Sequence, residues 1–271
     1  MPELPEVETT RRGIQSHLEG NVIQSVCVRE SRFRWPVTDD LQQILPGLTI
    51  THIARRGKYL LLNTVSGTLI IHLGMSGSLR IVTNGIPPQK HDHIDFIFAG
   101  NLLLRFNDPR RFGAVLWTEK PVNEHPLLKD LGPEPLESEF NGEHLYHQSK
   151  NKSLAAKSFI MDSHTVVGVG NIYANEALFM AGIKPTRSAG KISLARYRHL
   201  ADCIRRVLQN AISQGGTTLR DFVNEDGKPG YFKQQLKVYG RGGEPCTLCL
   251  RPLTEIRISN RTTVFCPHCQ T

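Results

Sequence analysis

The sequence lacks any apolar run that approaches the roughly 18–20 residues needed to cross a bilayer. Its longest apolar runs, such as Leu69–Ile71, have the size of a strand. The first six residues are acidic and lack the apolar core of a secretory signal. Internal repeats and low-complexity segments are also missing. These absences argue against a membrane protein and a repeat array, and we expect a globular protein of the cytoplasm.

Acidic residues are in the minority. The 271 residues include 33 lysines and arginines against 25 aspartates and glutamates, a formal net charge of +8. The excess is uneven, because residues 1–130 carry +2 and residues 131–271 carry +6. Hydrophobic residues make up 39% of the chain, enough to form a buried core. The charge favours a polyanionic partner, and we expect the second half to make the main contacts with a nucleic-acid backbone.

Cysteine is scarce, but four of the six cysteines form two Cys-x-x-Cys pairs separated by sixteen residues. They are Cys246, Cys249, Cys266 and Cys269. Two such pairs can supply the four thiolates of a tetrahedral zinc site, and this ligand set leaves no open position for catalysis. The pattern therefore predicts one structural zinc ion. A disulfide framework and an iron–sulfur cluster are weaker alternatives. Cys27 and Cys203 lie in apolar patterns and are expected to be core residues.

Sequence periodicity divides the chain into a β-rich and a helical half. A helix is expected over residues 5–19, where Pro5 suits a first helical position and Val7, Ile14 and Leu18 share one face. Short β-rich runs separated by turn signals follow, and their close spacing is typical of an antiparallel sandwich. The expected strands are Val22–Val28, Leu48–Ile53, Tyr59–Leu62, Thr68–Leu73, Ser78–Val82, His93–Phe98, Leu102–Phe106 and Ala114–Thr118.

The second half is expected to be helical, with helices at about 141–149, 153–161, 172–181 and 194–214. A proline-rich connector precedes it. The predicted fold class is α+β, and the predicted domains follow the chain. They are an N-terminal helix with an antiparallel β-sandwich (1–130), a linker (131–136), a helical domain (137–239) and a C-terminal four-cysteine zinc finger (240–271).

The start of the chain offers a nucleophile. If Met1 is removed, Pro2 presents a secondary amine, and an α-amino group with a pKa near ~7.7–8.0 is partly unprotonated at neutral pH. Condensation of this amine with a sugar C1′ gives an iminium ion, which promotes elimination from the neighbouring carbon. Glu3 could then act as a general acid. The alternative interpretation is that these residues are a frayed start without chemical function.

Six further motifs lie between this start and the cysteines: Arg55–Leu61, His72–Gly77, Lys90–His93, Asp108–Gly113, Gly168–Glu176 and Gly227–Phe232. Together with the opening Met-Pro-Glu-Leu-Pro-Glu-Val-Glu-Thr and the cysteine pairs, they keep one order and spacing along the chain. In this combination the sequence resembles the bacterial formamidopyrimidine-DNA glycosylases over essentially its whole length.

The resemblance implies a bifunctional enzyme of base excision repair. Such enzymes remove oxidised purines, chiefly 8-oxoguanine and formamidopyrimidines, from duplex DNA and cleave the abasic strand by β,δ-elimination. The resemblance assigns the Schiff-base amine to Pro2, the essential acid to Glu3, and the proton donors of β- and δ-elimination to Lys58 and Arg261. From the residues alone, Lys58 is more simply a solvated basic turn, and Arg261 a plain phosphate contact.

A base inside a stacked duplex cannot reach Pro2, so the nucleotide has to be extruded and the gap filled. The residues that match the family here are Met75, Arg110 and Phe112. Phe112 is expected to wedge the stack, Met75 to occupy the vacated space, and Arg110 to bind the widowed cytosine. Met and Phe are more often core residues, but here both lie in glycine-flanked turns.

The resemblance also implies contacts with the DNA backbone. Gly168–Asn171 resembles the turn of a helix–two-turn–helix, where helix amides favour a phosphate and Asn171 adds a side-chain donor. His91, Lys152 and Lys157 match family positions that contact DNA, although either lysine could be simple surface charge. Arg261 is expected in a β-hairpin around residues 257–264.

Two residues are assigned to lesion recognition. Residues 215–240 are long for a connecting loop, which indicates a functional segment. The resemblance implies that part of it closes over the flipped purine, and Arg220 stands there where relatives commonly have lysine. Glu6 is the second residue. We expect a monomer that binds double-stranded DNA with oxidised purines or abasic sites, and neither a membrane nor a redox cofactor.

Two alternatives remain at this point. A sister family of the same fold removes oxidised pyrimidines, but Leu4, Met75, Arg110 and Phe112 favour the purine branch. A non-enzymatic zinc-ribbon protein that binds DNA would also suit the basic charge, the four cysteines and the helices.

Overall fold

The computed structural model describes residues 1–83, 85–216 and 236–271, and the chain divides into two compact units. The first consists of Met1–Lys129 and takes up residues 214–216 after the last helix. The second consists of Asp130–Ser213 and the described residues from 236 onward. Within the described ranges, no helix combines the length and apolar character that a membrane span requires.

Helix α1 spans Leu4–Leu18, which confirms the helix predicted over 5–19. A capping box starts it: the Glu3 carboxylate accepts the N–H of Glu6, and the Glu6 carboxylate accepts the N–H of Glu3 at 2.8 Å. These two bonds satisfy amides that a helix end otherwise leaves without partners. The predicted apolar face is fully buried and consists of Val7, Ile14 and Leu18.

Two four-stranded antiparallel sheets form the predicted sandwich. One has the order β1 (Ile23–Val28), β6 (Asp92–Phe98), β7 (Leu102–Asn107) and β5 (Ser78–Thr83). The other has the order β2 (His52–Arg56), β3 (Tyr59–Asn63), β4 (Thr68–His72) and β8 (Ala114–Thr118). Buried side chains from both sheets and from α1 form one apolar cluster. Burial of this cluster is the main driving force for the sandwich.

The strand predicted at Leu48–Ile53 is wrong in its bounds, because β2 starts at His52. Leu48 and Ile50 instead pair with the residues that follow α1: the Leu48 carbonyl accepts the N–H of Ile23 at 2.9 Å, and the Ile50 N–H donates to Asn21 at 3.0 Å. Apolar periodicity reveals burial but not the partner. The structure also contains the one-turn helix α2, Leu41–Ile44, which is too short to show a helical period.

The second unit contains α3 (Gly142–Ser149), α4 (Ala156–Met161), α5 (Asn171–Met180) and α6 (Leu194–Ser213), which confirm the helices predicted there. Short 3₁₀ turns occur at Val122–Glu124 in the first unit and Ala189–Lys191 in the second. The apolar stripe of α6 is buried except for Ile212, which is half-buried; its other members are Leu200, Ile204, Val207, Leu208 and Ala211. Cys203 on this helix is buried, as expected, whereas Cys27 on β1 is only half-buried.

The predicted linker is packed against its own unit. The Gly132 N–H donates to the Ser163 carbonyl at 2.8 Å, and the Pro133 carbonyl accepts the N–H of Val167 at 3.2 Å. The domain bounds given from the sequence stay a prediction.

A β-hairpin ends the second unit. It consists of β9 (Thr254–Ile258) and β10 (Arg261–Phe265), joined by Ser259 and Asn260. Both turn residues have positive φ, 49° and 60°, as in the type I′ turns that suit two-residue hairpins. The hairpin predicted around 257–264 is therefore confirmed, and Arg261 stands directly after its turn.

Glu8 holds α1 on the sandwich. Its carboxylate, 7% exposed, pairs with Arg11 at 2.9 Å and Arg12 at 2.8 Å on the same helix and with Arg55 of β2 at 3.2 Å. Burial by itself raises the pKa of Glu8, but hydrogen bonds from Arg11 and Arg12 and the charges of Arg11 and Arg55 outweigh it and lower the pKa to about 2. The folded protein therefore keeps this carboxylate ionised in acid.

Glu8→Gln is expected to destabilise the first unit and to flatten its dependence on acid. Because folding lowers this pKa from 4.5, the stabilisation is complete above about pH 4.5 and is lost as the pH falls toward 2. The loss in free energy of unfolding should be about 2–3 kcal/mol at pH 7 and should shrink toward pH 3. Urea unfolding followed by fluorescence of Trp35 and Trp117, both in this unit, measures it. A loss that stays constant between pH 7 and 3 would contradict the assignment.

Candidate active site and nucleic-acid interface

Pro2 and Glu3 precede α1, and both are buried, Glu3 to 1% exposure. The capping box fixes the Glu3 carboxylate at the amino end of the helix, where the helix dipole favours negative charge. Glu6 lies against Gly216, with Oε1 3.1 Å from the position that a Cβ on this glycine would take. The predicted nucleophile, the predicted acid and one predicted lesion-recognition residue thus meet at the start of α1.

Lys58 lies half-buried in the two-residue turn between β2 and β3. Arg55 connects this turn with α1, because its Nε donates to Glu8 at 3.2 Å and its Nη1 donates to the Gly57 carbonyl at 3.0 Å. The turn that carries Lys58 is therefore tied, through one guanidinium, to the helix that carries Glu3.

His72, at the end of β4, is a polar group that was not among the residues predicted for the site. Its ring packs on Tyr59 with the centroids 4.8 Å apart. Burial, together with the charges of Lys58 and Arg34, lowers the pKa of His72 to about 4. The Nδ1 atom accepts the N–H of Gly74 at 3.0 Å, so the neutral ring carries its proton on Nε2. The Nε2–H of His72 is thus a neutral donor at the end of β4.

Met75, His91, Arg110 and Phe112 lie on neighbouring turns of the first unit. Phe112 is 42% exposed, and the Arg110 guanidinium carbon lies 5.0 Å from the centroid of its ring. Met75 and His91 are half-buried. The backbone of His91 is left-handed, with φ 75°, which is uncommon for a residue other than glycine. The structure brings together these four predicted DNA contacts, and neither Met75 nor Phe112 is a fully buried core residue.

A buried ion network supports the segment that leads to His91. Arg105, 3% exposed, donates to Asp95 at 2.8 and 2.9 Å and to the carbonyls of Ile86 and Pro87 at 3.1 and 3.2 Å. Removal of this arginine would leave a buried carboxylate and two carbonyls without their donor, which is costly inside a protein. The chain before His91 is therefore fixed by polar contacts rather than by apolar packing.

In the second unit, Asn171 is the first residue of α5. Its Oδ1 is buried and has no hydrogen-bond partner within the described part of the chain. This oxygen accepts hydrogen bonds, so an external donor could satisfy it, whereas a phosphate would need the amide nitrogen Nδ2 or the backbone N–H groups of the helix start. Lys152 is half-buried, and its Nζ lies 5.2 Å from the centroid of the Phe159 ring.

Helices α4 and α5 hold the hairpin that carries Arg261. Lys157, only 1% exposed, donates to the Thr262 carbonyl at 2.9 Å and to the Thr263 hydroxyl at 2.7 Å. Asn175 accepts the N–H of Val264 at 2.9 Å. Lys157 is thus not simple surface charge, and these bonds leave Arg261 exposed at the start of β10.

Glu176 forms a second polar anchor on α5. Its carboxylate accepts the N–H groups of three consecutive residues, Lys237, Val238 and Tyr239, at 2.8, 3.0 and 2.8 Å. Burial raises the pKa of Glu176, while the three amides oppose the shift. This role cannot be predicted from the sequence, because nothing local links residue 176 with residues 237–239. The chain entering the cysteine module is fixed to the helix that starts with Asn171.

The four cysteine sulfurs lie within 4.8 Å of one another. Cys246 Sγ is 4.0 Å from Cys269 Sγ, and Cys249 Sγ is 3.5 Å from Cys266 Sγ. Both distances are near the roughly 3.8 Å edge of a sulfur tetrahedron around zinc, and both are too long for a disulfide. The N–H groups of Leu248 and Cys269 each lie 3.4 Å from a sulfur and favour thiolates. The residues present fit one structural zinc ion.

Arg220 and the motif Gly227–Phe232 lie outside the described residues.

Three family models match successive parts of the chain. The formamidopyrimidine-DNA glycosylase N-terminal domain matches residues 1–115, the formamidopyrimidine-DNA glycosylase H2TH domain matches 131–223, and the zinc finger found in FPG and IleRS matches 243–271. The formamidopyrimidine-DNA glycosylase of Methylococcus capsulatus is 61% identical over 270 residues, with 100% of both chains covered. The chain belongs to the formamidopyrimidine-DNA glycosylase family. It is therefore a DNA glycosylase of base excision repair, which excludes the non-enzymatic zinc-ribbon alternative.

Solved structures of the family share this fold. The MutM (Fpg) protein of Thermus thermophilus is 37% identical with a TM-score of 0.89, covering 99% of this chain and 98% of its own. Lactococcus lactis Fpg is 34% identical, with 99% of both chains covered. It has been solved with Fapy-dG-containing DNA (as a point mutant, TM-score 0.90), with abasic-site DNA (0.91) and with oxidised-pyrimidine-containing DNA (0.91).

Cys249→Ser is expected to release zinc and to lose DNA binding. The apolar cluster around the cysteines is small, so the binding energy of the metal is needed to fold this module. Elemental analysis should find about one zinc per wild-type chain and a large loss in the variant. Fluorescence anisotropy with a labelled duplex measures binding.

Cys27→Ser is the matched control, because Cys27 lies on β1, outside the cluster. It should keep both zinc and DNA affinity. Full zinc content in the Cys249 variant would exclude the proposed ligand set.

Proposed function

We propose that this chain excises oxidised purines, chiefly 8-oxoguanine and formamidopyrimidines, from double-stranded DNA through a Schiff base on Pro2. It then cleaves the abasic strand by β,δ-elimination. The observation that carries the proposal is the placement of Pro2 and Glu3 at the capped start of α1, with the Lys58 turn tied to the same helix through Arg55 and Glu8. The Methylococcus capsulatus relative aligns with 100% of both chains, which supports the same position of Pro2 and Glu3 in the two proteins.

The first step uses the Pro2 nitrogen after removal of Met1. Its lone pair attacks the sugar C1′, the bond from C1′ to the base breaks, and the base departs with the bonding electrons and a proton. The departing base and the sugar ring oxygen each gain a proton, one from Glu3 and one from the Pro2 nitrogen, and opening of the ring leaves an iminium ion between Pro2 and C1′. The positive charge on this ion acidifies the hydrogens on C2′.

The second step breaks the strand. Loss of a C2′ proton expels the 3′ phosphate in β-elimination, for which Lys58 is the proton donor. A further elimination expels the 5′ phosphate, with Arg261 as the donor, and water releases the Pro2 amine. The zinc ion is bound by four cysteines, so it shapes the module that carries Arg261 and leaves the chemistry to protein groups.

The turns of the first unit replace the extruded base. Phe112 wedges the stack, Met75 fills the vacated space and Arg110 binds the widowed cytosine. The exposure of Phe112 and its contact with Arg110 support these roles, since apolar side chains that unstack bases must be accessible. His91 adds a DNA contact from the adjoining turn.

The second unit binds the DNA backbone. The side-chain amide nitrogen of Asn171 is the proposed donor to a phosphate at the amino end of α5, and Lys152 adds charge. Glu6 and Arg220 recognise the lesion. We further propose that the enzyme acts as a monomer in the cytoplasm on DNA with oxidised purines or abasic sites.

Borohydride reduction during the reaction is expected to join the protein covalently to DNA. A duplex with 8-oxoguanine opposite cytosine is the substrate, because reduction of the iminium ion gives a stable amine. Peptide mass mapping should place the DNA on the Pro2 nitrogen, in a chain that has lost Met1. A covalent bond between the DNA and another amine, such as Lys58 Nζ, would contradict this mechanism.

Glu3→Gln is the matched control for this experiment. It should bind the lesion duplex but excise at least about 100-fold more slowly, because the proton donor is lost, and so trap little adduct.

Excision of oxidised pyrimidines is the second candidate, favoured by the Lactococcus lactis complex with oxidised-pyrimidine-containing DNA. Leu4, Met75, Arg110 and Phe112 favour the purine branch. In single-turnover assays, we expect 8-oxoguanine opposite cytosine to be excised at least about tenfold faster than dihydrouracil or thymine glycol. An equal or faster rate on the pyrimidines would reassign the substrate.

A further inference from the structure

Asp108 begins the turn that carries Arg110 and Phe112, and it is entirely buried. Its Oδ1 accepts the hydroxyl of Ser76 at 2.8 Å and the N–H of Arg110 at 3.3 Å. Its Oδ2 accepts the N–H of Gly113 at 2.8 Å. Ser76 directly follows Met75 in the sequence. One carboxylate therefore links the turn 73–77 to the turn 108–113 on both sides of Phe112.

The backbone of Asp108 reaches a third turn. Its N–H donates to the His91 carbonyl at 3.1 Å, and its own carbonyl accepts the Nε2–H of His93 at 3.0 Å. The left-handed backbone of His91 is sparsely populated, so it persists only where its surroundings hold it. Asp108 supplies part of that support.

The turns 73–77 and 108–113 are in contact through their backbones. A Cβ on Gly74 would lie 2.5 Å from the nitrogen of Gly113 and from the carbonyl carbon of Phe112. A Cβ on Gly113 would lie 2.7 Å from the His72 carbonyl oxygen. Real side-chain atoms do not approach so closely, so glycine is required at both positions. With no side chain between them, a displacement of one turn is passed directly to the other.

The donors around Asp108 are best matched by a side chain that only accepts. The Ser76 hydroxyl and the N–H groups of Arg110 and Gly113 all point at it, and Ser76 Oγ also lies 3.2 Å from the Arg110 nitrogen. A carboxylate has enough lone pairs for all three donors. Asparagine would turn one acceptor into a donor. The Ser76 hydroxyl could rotate to accept from it, whereas the Gly113 N–H could not.

We infer that Asp108 is the positioning residue that fixes Met75, His91, Arg110 and Phe112 as one unit for the replacement of an extruded base. This inference rests on the proposed function. Asp108 is buried and acts through these four residues rather than by touching the DNA. Insertion into a stacked duplex requires several side chains to enter together, and turns fixed in advance reduce the ordering needed on binding.

A role limited to folding stability would affect all substrates alike, whereas a role in base replacement affects only substrates that leave a gap in a duplex. Single-stranded DNA with a preformed abasic site has no base to extrude and no opposite base, but it still needs the Pro2 chemistry. The ratio of single-turnover rates on the lesion duplex and on this single strand therefore separates the two roles.

Asp108→Ala is expected to slow excision of 8-oxoguanine opposite cytosine by about 10- to 100-fold, since two or more hydrogen bonds are lost. Cleavage of the single-stranded abasic site should stay within about threefold of wild type. The preference for cytosine over adenine opposite the lesion should also weaken, because Arg110 is no longer held in place. Asp108→Asn should excise 8-oxoguanine from the duplex at a rate between those of Asp108→Ala and the wild type. This rate should be closer to that of the wild type.

Leu69→Ala is the control for stability. Leu69 is a buried core residue of β4 and pairs with Trp117 on β8, whereas the pair next to the two turns is His72 with Ala114. Truncation of Leu69 destabilises the sandwich without removing any hydrogen bond of Asp108. Assayed below its unfolding temperature, this variant should keep the wild-type ratio between the two substrates.

A mutant cycle tests whether Asp108 acts through the inserted residues. When Met75, Arg110 and Phe112 are all replaced by alanine, adding Asp108→Ala should cost less than about threefold more, because the residues that it positions are gone. The inference would be overturned if Asp108→Ala slowed the lesion duplex and the single strand equally. It would also be overturned if Asp108→Ala slowed the triple alanine variant by the same factor as the wild type. A wild-type protein that cleaves neither the lesion duplex nor DNA with an abasic site would instead reject the proposed function itself.

Discussion

The carboxylate of Glu3 accepts a hydrogen bond from the first turn of the helix that it caps, and the Glu6 carboxylate holds the N–H of Glu3 in return. Chain termini usually fray, and this reciprocal bond, together with the burial of Leu4 and Val7, gives the start of α1 a defined position. Glu8 and Arg55 then seat the helix on the sandwich, and Arg55 also binds the turn of Lys58. The position of the proposed nucleophile relative to this lysine thus depends on a few charged contacts of α1.

The same arrangement recurs where other functional segments are held. Asp108 accepts two backbone amides and a hydroxyl, and Glu176 accepts three consecutive amides. A buried carboxylate is unfavourable unless donors surround it, and its loss leaves those donors unsatisfied. Such a cluster therefore has one good geometry, whereas apolar packing tolerates small displacements. Apolar contacts form the core of the sandwich, and buried carboxylates with their hydrogen-bond donors fix the segments that carry function.

The sequence predicts best what is encoded locally. Strand Ala114–Thr118 has the predicted bounds, and the cysteine spacing alone identifies the zinc ligands. The strand at Leu48–Ile53 was misplaced because its pairing is decided by residues after α1. Glu176 cannot be predicted as an anchor, because the amides that it binds lie 61–63 residues further along the chain. Asp108 binds Arg110 and Gly113 locally, but its bond with Ser76 spans 32 residues. The environment of His72 depends on Tyr59, on the neighbouring strand. Only the folded backbone brings these groups together.

An exposed aromatic side chain such as Phe112 has few neighbours to order it, apart from the Arg110 guanidinium against its ring. Its direction must therefore come from the backbone on either side, which is where Asp108 binds the N–H groups of Arg110 and Gly113. The entropy of ordering this turn is then lost during folding, when burial of the sandwich core compensates for it, rather than during DNA binding. A side chain that has to enter a base stack can stay accessible to solvent because its backbone is ordered from below by buried polar contacts.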